Sequence, residues 1–109
     1  MSTQQKTVDY ILEQAAGAGT VTARKMFGEY GMYCDGKVMA FICDDQLFIK
    51  PTQAGRDYLG EVTEGEAYPG SKMYFVIEGD RWDDADWLAE LVRVTAAELP
   101  EPKVKKSKS

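Results

Sequence analysis

Few residues of this chain have types and spacing suited to chemistry. Asp80, Asp83, Asp84 and Asp86 crowd one short stretch, and paired carboxylates can bind a metal or share acid and base roles. These four, however, precede an apolar helical pattern. Asp83 as N-cap, with Asp84 and Asp86 in the first turn, would accept free amide protons and suit the helix dipole. The two cysteines, Cys34 and Cys43, have no histidine to join them, whereas zinc wants four nitrogen or sulfur ligands. Without histidine there is also no ordinary proton-transfer group near neutral pH. No nucleophile stands beside a base, and no phosphate loop is present. The residues therefore read as those of a non-enzyme with no cofactor and no metal. What remains is the basic pair Arg24-Lys25 followed by Phe27: either a recognition motif, with charge to orient a partner and an aromatic to anchor it, or solvated cations beside Met26 and Phe27 that enter the core.

The elements that must position these residues follow from periodicity. Ser2 and Gln5 have the spacing of a capping box. Val8, Ile11, Leu12, Ala15 and Ala16 then form one helical stripe, ended by Gly17 and Gly19. From Arg24 to Pro51 the chain reads as three strands. Asp35-Gly36 is a strong type I′ turn signal and Asp44-Asp45 a weaker one. This register sets Cys34 opposite Lys37, Tyr33 opposite Val38, Met32 opposite Met39, Ile42 opposite Leu47 and Phe41 opposite Phe48. Alternation then sorts Tyr33, Val38, Ala40, Ile42, Leu47 and Ile49 to one face. The other face receives Tyr30, Met32, Met39, Phe41 and Phe48, with Cys34 and Cys43. The aliphatic face reads as core, and the aromatic face as either a second core layer or a contact surface. Cys43 falls opposite Gly28, roughly 20 Å along the sheet from Cys34 and far beyond disulfide reach, so both thiols read as buried and inert.

Thr52 is placed to cap a short helix over Gln53 to Leu59, closed by Gly60. Glu61 to Gly65 reads as a loop, Ala67-Tyr68 as a brief strand before a Pro69-Gly70 turn, and Lys72 to Glu78 as a strand. In the last helix, Trp82 and Trp87 fall at hydrophobic-staple positions relative to Asp83. Leu88, Leu91, Val92, Thr95, Ala96 and Leu99 line its apolar face, and Pro100 stops it. The order α-β(3)-α-β(2)-α predicts an α+β domain on an antiparallel sheet. Residues 1–99 form it, and 100–109 read as a disordered Lys-rich tail.

Charge narrows the partners. The chain carries −5 overall, and its tail (four lysines against Glu101) carries +3, which leaves −8 on the body. A body that acidic disfavours strong direct nucleic-acid binding. There is neither a run of about 18 apolar residues to span a membrane nor a secretory signal, so the expected location is the cytoplasm.

Arg24-Lys25-Met26-Phe27-Gly28, Tyr30-Gly31-Met32-Tyr33, Asp35-Gly36-Lys37 and Leu47-Phe48-Ile49-Lys50 resemble the N-terminal domain of the TfoX/Sxy competence regulators. Lys72-Met73-Tyr74 and the acidic start of the last helix also fit, and the resemblance covers about residues 8 to 99. It implies the same α-β(3)-α-β(2)-α order, related to secretion-chaperone-like folds, and no catalytic residues. Longer members, which add a C-terminal domain, promote expression of DNA-uptake genes with the cyclic-AMP receptor protein. The expectation is a bacterial, non-catalytic regulatory module that binds a protein, a transcription factor of that type. Its interaction residues would be Arg24, Lys25, Phe27, Tyr30, Phe41, Phe48 and Lys50. The alternative is a structural or adaptor domain that forms a homodimer through its aromatic face and has no direct role in transcription.

Overall fold

Two tight turns organise the sheet. Asp35 and Gly36 have φ of 52° and 85°, and Asp44 and Asp45 have 53° and 58°. Positive φ at both central residues is what a type I′ hairpin requires, and aspartate tolerates that region better than most residues. Each turn is pinned from outside the hairpin. Thr20 N donates to Asp35 Oδ1 at 2.9 Å. At the second turn Asp44 N donates to Glu29 Oε2, Asp45 N to Thr3 Oγ1, and Gln4 N to Asp45 Oδ1.

The computed structural model describes residues 3–26 and 29–100. Its elements are α1 (Gln5–Gln14), β1 (Val21–Met26), β2 (Glu29–Cys34), β3 (Lys37–Cys43), β4 (Gln46–Ile49), α2 (Gln53–Leu59), β5 (Glu64–Glu66), β6 (Met73–Ile77) and α3 (Ala85–Glu98). Short 3-10 turns cover Ala16–Ala18 and Gly79–Asp83. All six strands pair antiparallel in the order β1-β2-β3-β4-β6-β5. The fold is α+β, with helix, strands, helix, strands and helix in the predicted sequence.

The first run of strands contains one more than expected. Arg24-Lys25 lies within β1, which pairs with β2 along its whole length. The second run has the expected two strands, but its first is β5, Glu64–Glu66, which begins in the stretch read as a loop and ends just before Ala67-Tyr68. β1 and β5 lie at the margins of the sheet, where one side of the backbone is unpaired and polar side chains are tolerated.

The predicted register holds at Cys34–Lys37, Tyr33–Val38, Ile42–Leu47 and Phe41–Phe48. It breaks between Met32 and Tyr33, where Met32 pairs with Ala40 and Met39 is the extra residue of a bulge. A one-residue insertion reverses every face assignment on one side of it. Tyr30, Met32 and Cys34 therefore join Ala40, Ile42, Leu47 and Ile49 in the core under the helices, as does the bulged Met39. Tyr33 and Val38 move to the opposite side with Phe41 and Phe48. The two cysteines consequently occupy opposite faces, not one; both are buried.

The three helices share one layer. Val8, Ile11 and Ala15 of the first helix region and Leu88, Leu91, Val92 and Ala96 of α3 pack on the inner sheet residues, with Tyr58 and Leu59 of α2 against the same cluster. Ala16 is exposed, because the chain has left α1 for a 3-10 turn. Helix α1 starts at Gln5 with Gln4 as a cap whose side chain makes no capping bond; the proposed Ser2 cap lies outside the described residues. In α2 the reading holds: Thr52 Oγ1 accepts from Gly55 N at 2.9 Å, and Gly60 follows with φ 78°. Two further amides of its first turn, Gln53 N and Ala54 N, donate to the Glu98 carboxylate near the end of α3.

The cap of α3 is Asp84, whose Oδ1 accepts from Trp87 N at 3.1 Å. Asp83 instead accepts from the Tyr10 hydroxyl of α1. The shift by one residue comes from the Gly79–Asp83 turn, which buries Trp82 and lets its indole N–H donate to Ile77 O at 3.0 Å. Trp87 packs on Tyr58 at 5.7 Å, with the Arg81 guanidinium 4.1 Å above its ring. With Asp84 as the cap, Trp82 and Trp87 no longer fall at the staple positions.

Candidate interaction surface

With all three helices on one side, the second sheet face carries no helical layer among the described residues. Strand alternation determines what it displays. Successive pairings align Arg24, Gly31, Phe41, Phe48 and Val76 in one row running from β1 to β6. Gly31 contributes no side chain, so a notch separates the guanidinium from the first ring. Arg24 leans instead towards Tyr33, 5.8 Å from the ring centroid. Phe41 meets Tyr74 edge to face at 5.5 Å. Phe48 is 4 % exposed, because Ala67 and the neighbouring strands close around it. Gly65 allows this: a Cβ there would sit 3.0 Å from Val76 Cγ2 and 3.8 Å from the Phe48 ring.

The predicted interaction residues divide between the two sides of the sheet. Arg24, Phe41 and Phe48 come together in the row just described. Lys50, two residues beyond Phe48, shares that face and is half-buried. Lys25 sits on the helix side of β1 by alternation. Tyr30 also lies on the helix side, partly packed on the core, and its hydroxyl donates to Gln5 Oε1 at 3.0 Å. Phe27 lies outside the described residues. Tyr33, Tyr74 and Val76 complete the surface and were not singled out. The signal for the last two was present: in Lys72–Ile77, period two separates Tyr74 and Val76 from Met73, Phe75 and Ile77.

Charge is polarised across this face. Burial pushes the Lys50 ammonium below its ordinary pKa, and the nearby Lys72 adds to the effect. An anion beside Lys50 would relieve that desolvated cation. Elsewhere, a groove of about 530 Å³ lies beside Cys43 and Phe48, bounded by Glu29, Asp44, Glu66 and the Ala67–Pro69 segment. Burial, then Glu29 and Asp44, raise the Cys43 thiol from 9.0 to about 11. The neutral thiol is thus favoured by folding. Its stabilisation should be fully present below pH 9 and lost as pH rises through about 11. Thermal midpoints of wild type and Cys43→Ala across pH 8 to 11.5 would show this as a steeper alkaline decline in the wild type. Parallel declines would refute it.

Among the described residues, no group of three His, Cys, Asp or Glu side chains is placed to hold a metal ion. Asp83 and Asp84 are engaged as acceptors for Tyr10 and Trp87. No described helix is long and apolar enough to cross a membrane. The second face thus presents an aromatic strip, partly covered, with Lys50 beside it.

The family model of the TfoX N-terminal domain matches residues 13–99, from the end of α1 to the end of α3. The chain belongs to that family. A relative from Spirochaeta aurantia, described as an uncharacterized 12.7 kDa protein in the trpE 5′ region, is 40 % identical over 109 residues. The alignment spans all of this chain and 94 % of the relative. This TfoX N-terminal domain therefore has a counterpart of nearly its own length.

Proposed function

We propose that this TfoX-type domain is a non-catalytic regulatory module that binds a protein through the helix-free face of its sheet. The observation that carries the reading is the row from Arg24 through Phe41 and Phe48, with Lys50 beside it, on a face without a helical layer. Rings flanked by cations make effective anchors, since aromatic and arginine side chains dominate interface energies. Family membership favours a bacterial cytoplasmic regulator of DNA-uptake genes, and a partner of the cyclic-AMP receptor protein type.

Purified protein titrated into that receptor on a DNA-uptake promoter should raise fluorescence anisotropy. Arg24→Glu with Phe41→Ala should weaken binding about tenfold or more, the loss of roughly 1.4 kcal/mol or above. Absence of binding by the wild type would remove that receptor as the partner, and equal binding by the variant would remove this face as the binding surface. A homodimer through the same face is the second reading, favoured by the partly exposed Phe41, which packs on the buried Tyr74. Sedimentation across a concentration series decides it, because a strict monomer leaves no place for it.

A further inference from the structure

The margin of the sheet at β1 adds a second recognition element. Thr20 O accepts from Asp35 N at 2.8 Å, so residue 20 lies on the bonded parity of the β1–β2 ladder. The register continues without a break from Val21–Cys34 to Met26–Glu29. Bonded and outward residues alternate in an antiparallel pair. Thr22 and Arg24 therefore bond to β2, while Val21, Ala23 and Lys25 turn their N–H and C=O groups outwards. Among the described residues, none of these outward groups has a backbone partner.

This edge is not blunted by proline or by a bulge within β1. Its guard is charge: Arg24 and Lys25 are both exposed, one on each side of the sheet. Antiparallel pairing of two β1 strands would bring four cations together, and like charges across a ladder are destabilising. The opposite margin is β5, only three residues long and bearing Glu64 and Glu66.

Resting on the reading of this chain as a protein-binding module, we infer that β1 accepts an extended acidic segment of a partner as a seventh strand. Two consecutive carboxylates fit, because neighbours on a strand point to opposite faces, as Arg24 and Lys25 do. Main-chain bonds to Val21, Ala23 and Lys25 supply the attachment, and the carboxylates supply the selectivity. Elsewhere the acidic body repels such a segment, so the basic pair also steers it.

The test is amide exchange of the full chain, followed by NMR, with a blocked hexapeptide of two consecutive glutamates flanked by valine and threonine. In the free protein the Val21, Ala23 and Lys25 amides exchange fast and those of Thr22 and Arg24 slowly. Peptide at about ten times its Kd should slow the first three about tenfold. A peptide with lysines in place of the glutamates should not. Ala23→Pro removes an outward N–H, which a sheet edge tolerates, and should abolish the protection, whereas Ala23→Ser keeps it. Should Ala23→Pro not fold, Arg24→Glu with Lys25→Glu must lose the glutamate peptide and accept the lysine peptide.

Several results overturn the inference. They are no protection at millimolar peptide, equal protection by the lysine peptide, or protection that persists in Ala23→Pro. Protection that grows with protein concentration alone would instead place a second copy on the edge. The receptor titration separates the two claims. Receptor binding without peptide binding sinks the strand addition and leaves the module reading intact; the reverse outcome sinks receptor binding alone.

Discussion

Phe75→Ala should destabilise the protein by about 3–5 kcal/mol in urea denaturation, the range for truncating a large buried aromatic. Phe75 heads the fully buried side chains of the core at 1 % exposure. It projects from β6 towards α2, where the Arg56 guanidinium lies 5.2 Å from its ring centroid. Helix α2 has seven residues, too few to persist on its own. It holds its place through this ring, the Tyr58 contact and the Glu98 carboxylate. Truncation therefore opens a cavity and loosens the helix above it, and α2 amide exchange should accelerate more than that of α1. Phe48→Ala provides the contrast. Its ring lies on the helix-free face beside a groove that water can enter, so the expected loss is at the low end of that range, about 3 kcal/mol. Equal losses for the two variants would mean that the second face is a closed core, and the docking proposal would lose its basis.

The face assignments of β2 and the start of β3 turn on a bulge that no propensity announces. Both aspartate turns were legible because few residue types accept positive φ, and the pairs nearest each turn follow from the turn type. Farther from the Asp35-Gly36 turn the register depends on whether a residue is inserted. Met39 is apolar and fits a core whether it is paired or bulged, so its side chain gives no sign. The consequence was confined to one side of the insertion: Tyr30, Met32 and Cys34 changed faces, while Phe41 and Phe48 did not. β1 was missed and β5 misplaced for a related reason. Val21–Met26 and Glu64–Glu66 are mostly polar or small, and only their neighbours make them strands. Thr52 and Gly60 were readable because a cap and a C-terminal glycine act locally. Asp84 displaced Asp83 as a cap because of distant contacts, the Tyr10 hydroxyl and the burial of Trp82.

The candidate surface was half legible for the same reasons. Phe41 and Phe48 lie close to a turn, so their common face followed from it. Arg24 joins their row only through β1, and Gly31 separates it from Phe41. Tyr74 and Val76 reach the face because β6 pairs with β4, a partnership between strands separated by a helix and a marginal strand. Pairings of that kind depend on the whole sheet and not on any local run.

Gly55→Ala should destabilise by about 2–3 kcal/mol, although alanine is normally the better helix former. A Cβ at this position would lie 2.9 Å from Thr52 Oγ1 and 3.2 Å from Thr95 Oγ1. The first oxygen caps α2 and cannot retreat without losing its bond from the Gly55 amide. The second belongs to α3 and is buried without a hydrogen-bond partner among the described residues. An unpartnered buried hydroxyl carries a desolvation cost, so Thr95→Ala alone should be nearly neutral, with the lost methyl offset by the lost hydroxyl. Combined with Gly55→Ala it should recover about 1 kcal/mol, a coupling of the size seen between contacting residues. Chemical denaturation of the four proteins measures it directly. A double variant no better than Gly55→Ala would assign the whole penalty to the Thr52 cap.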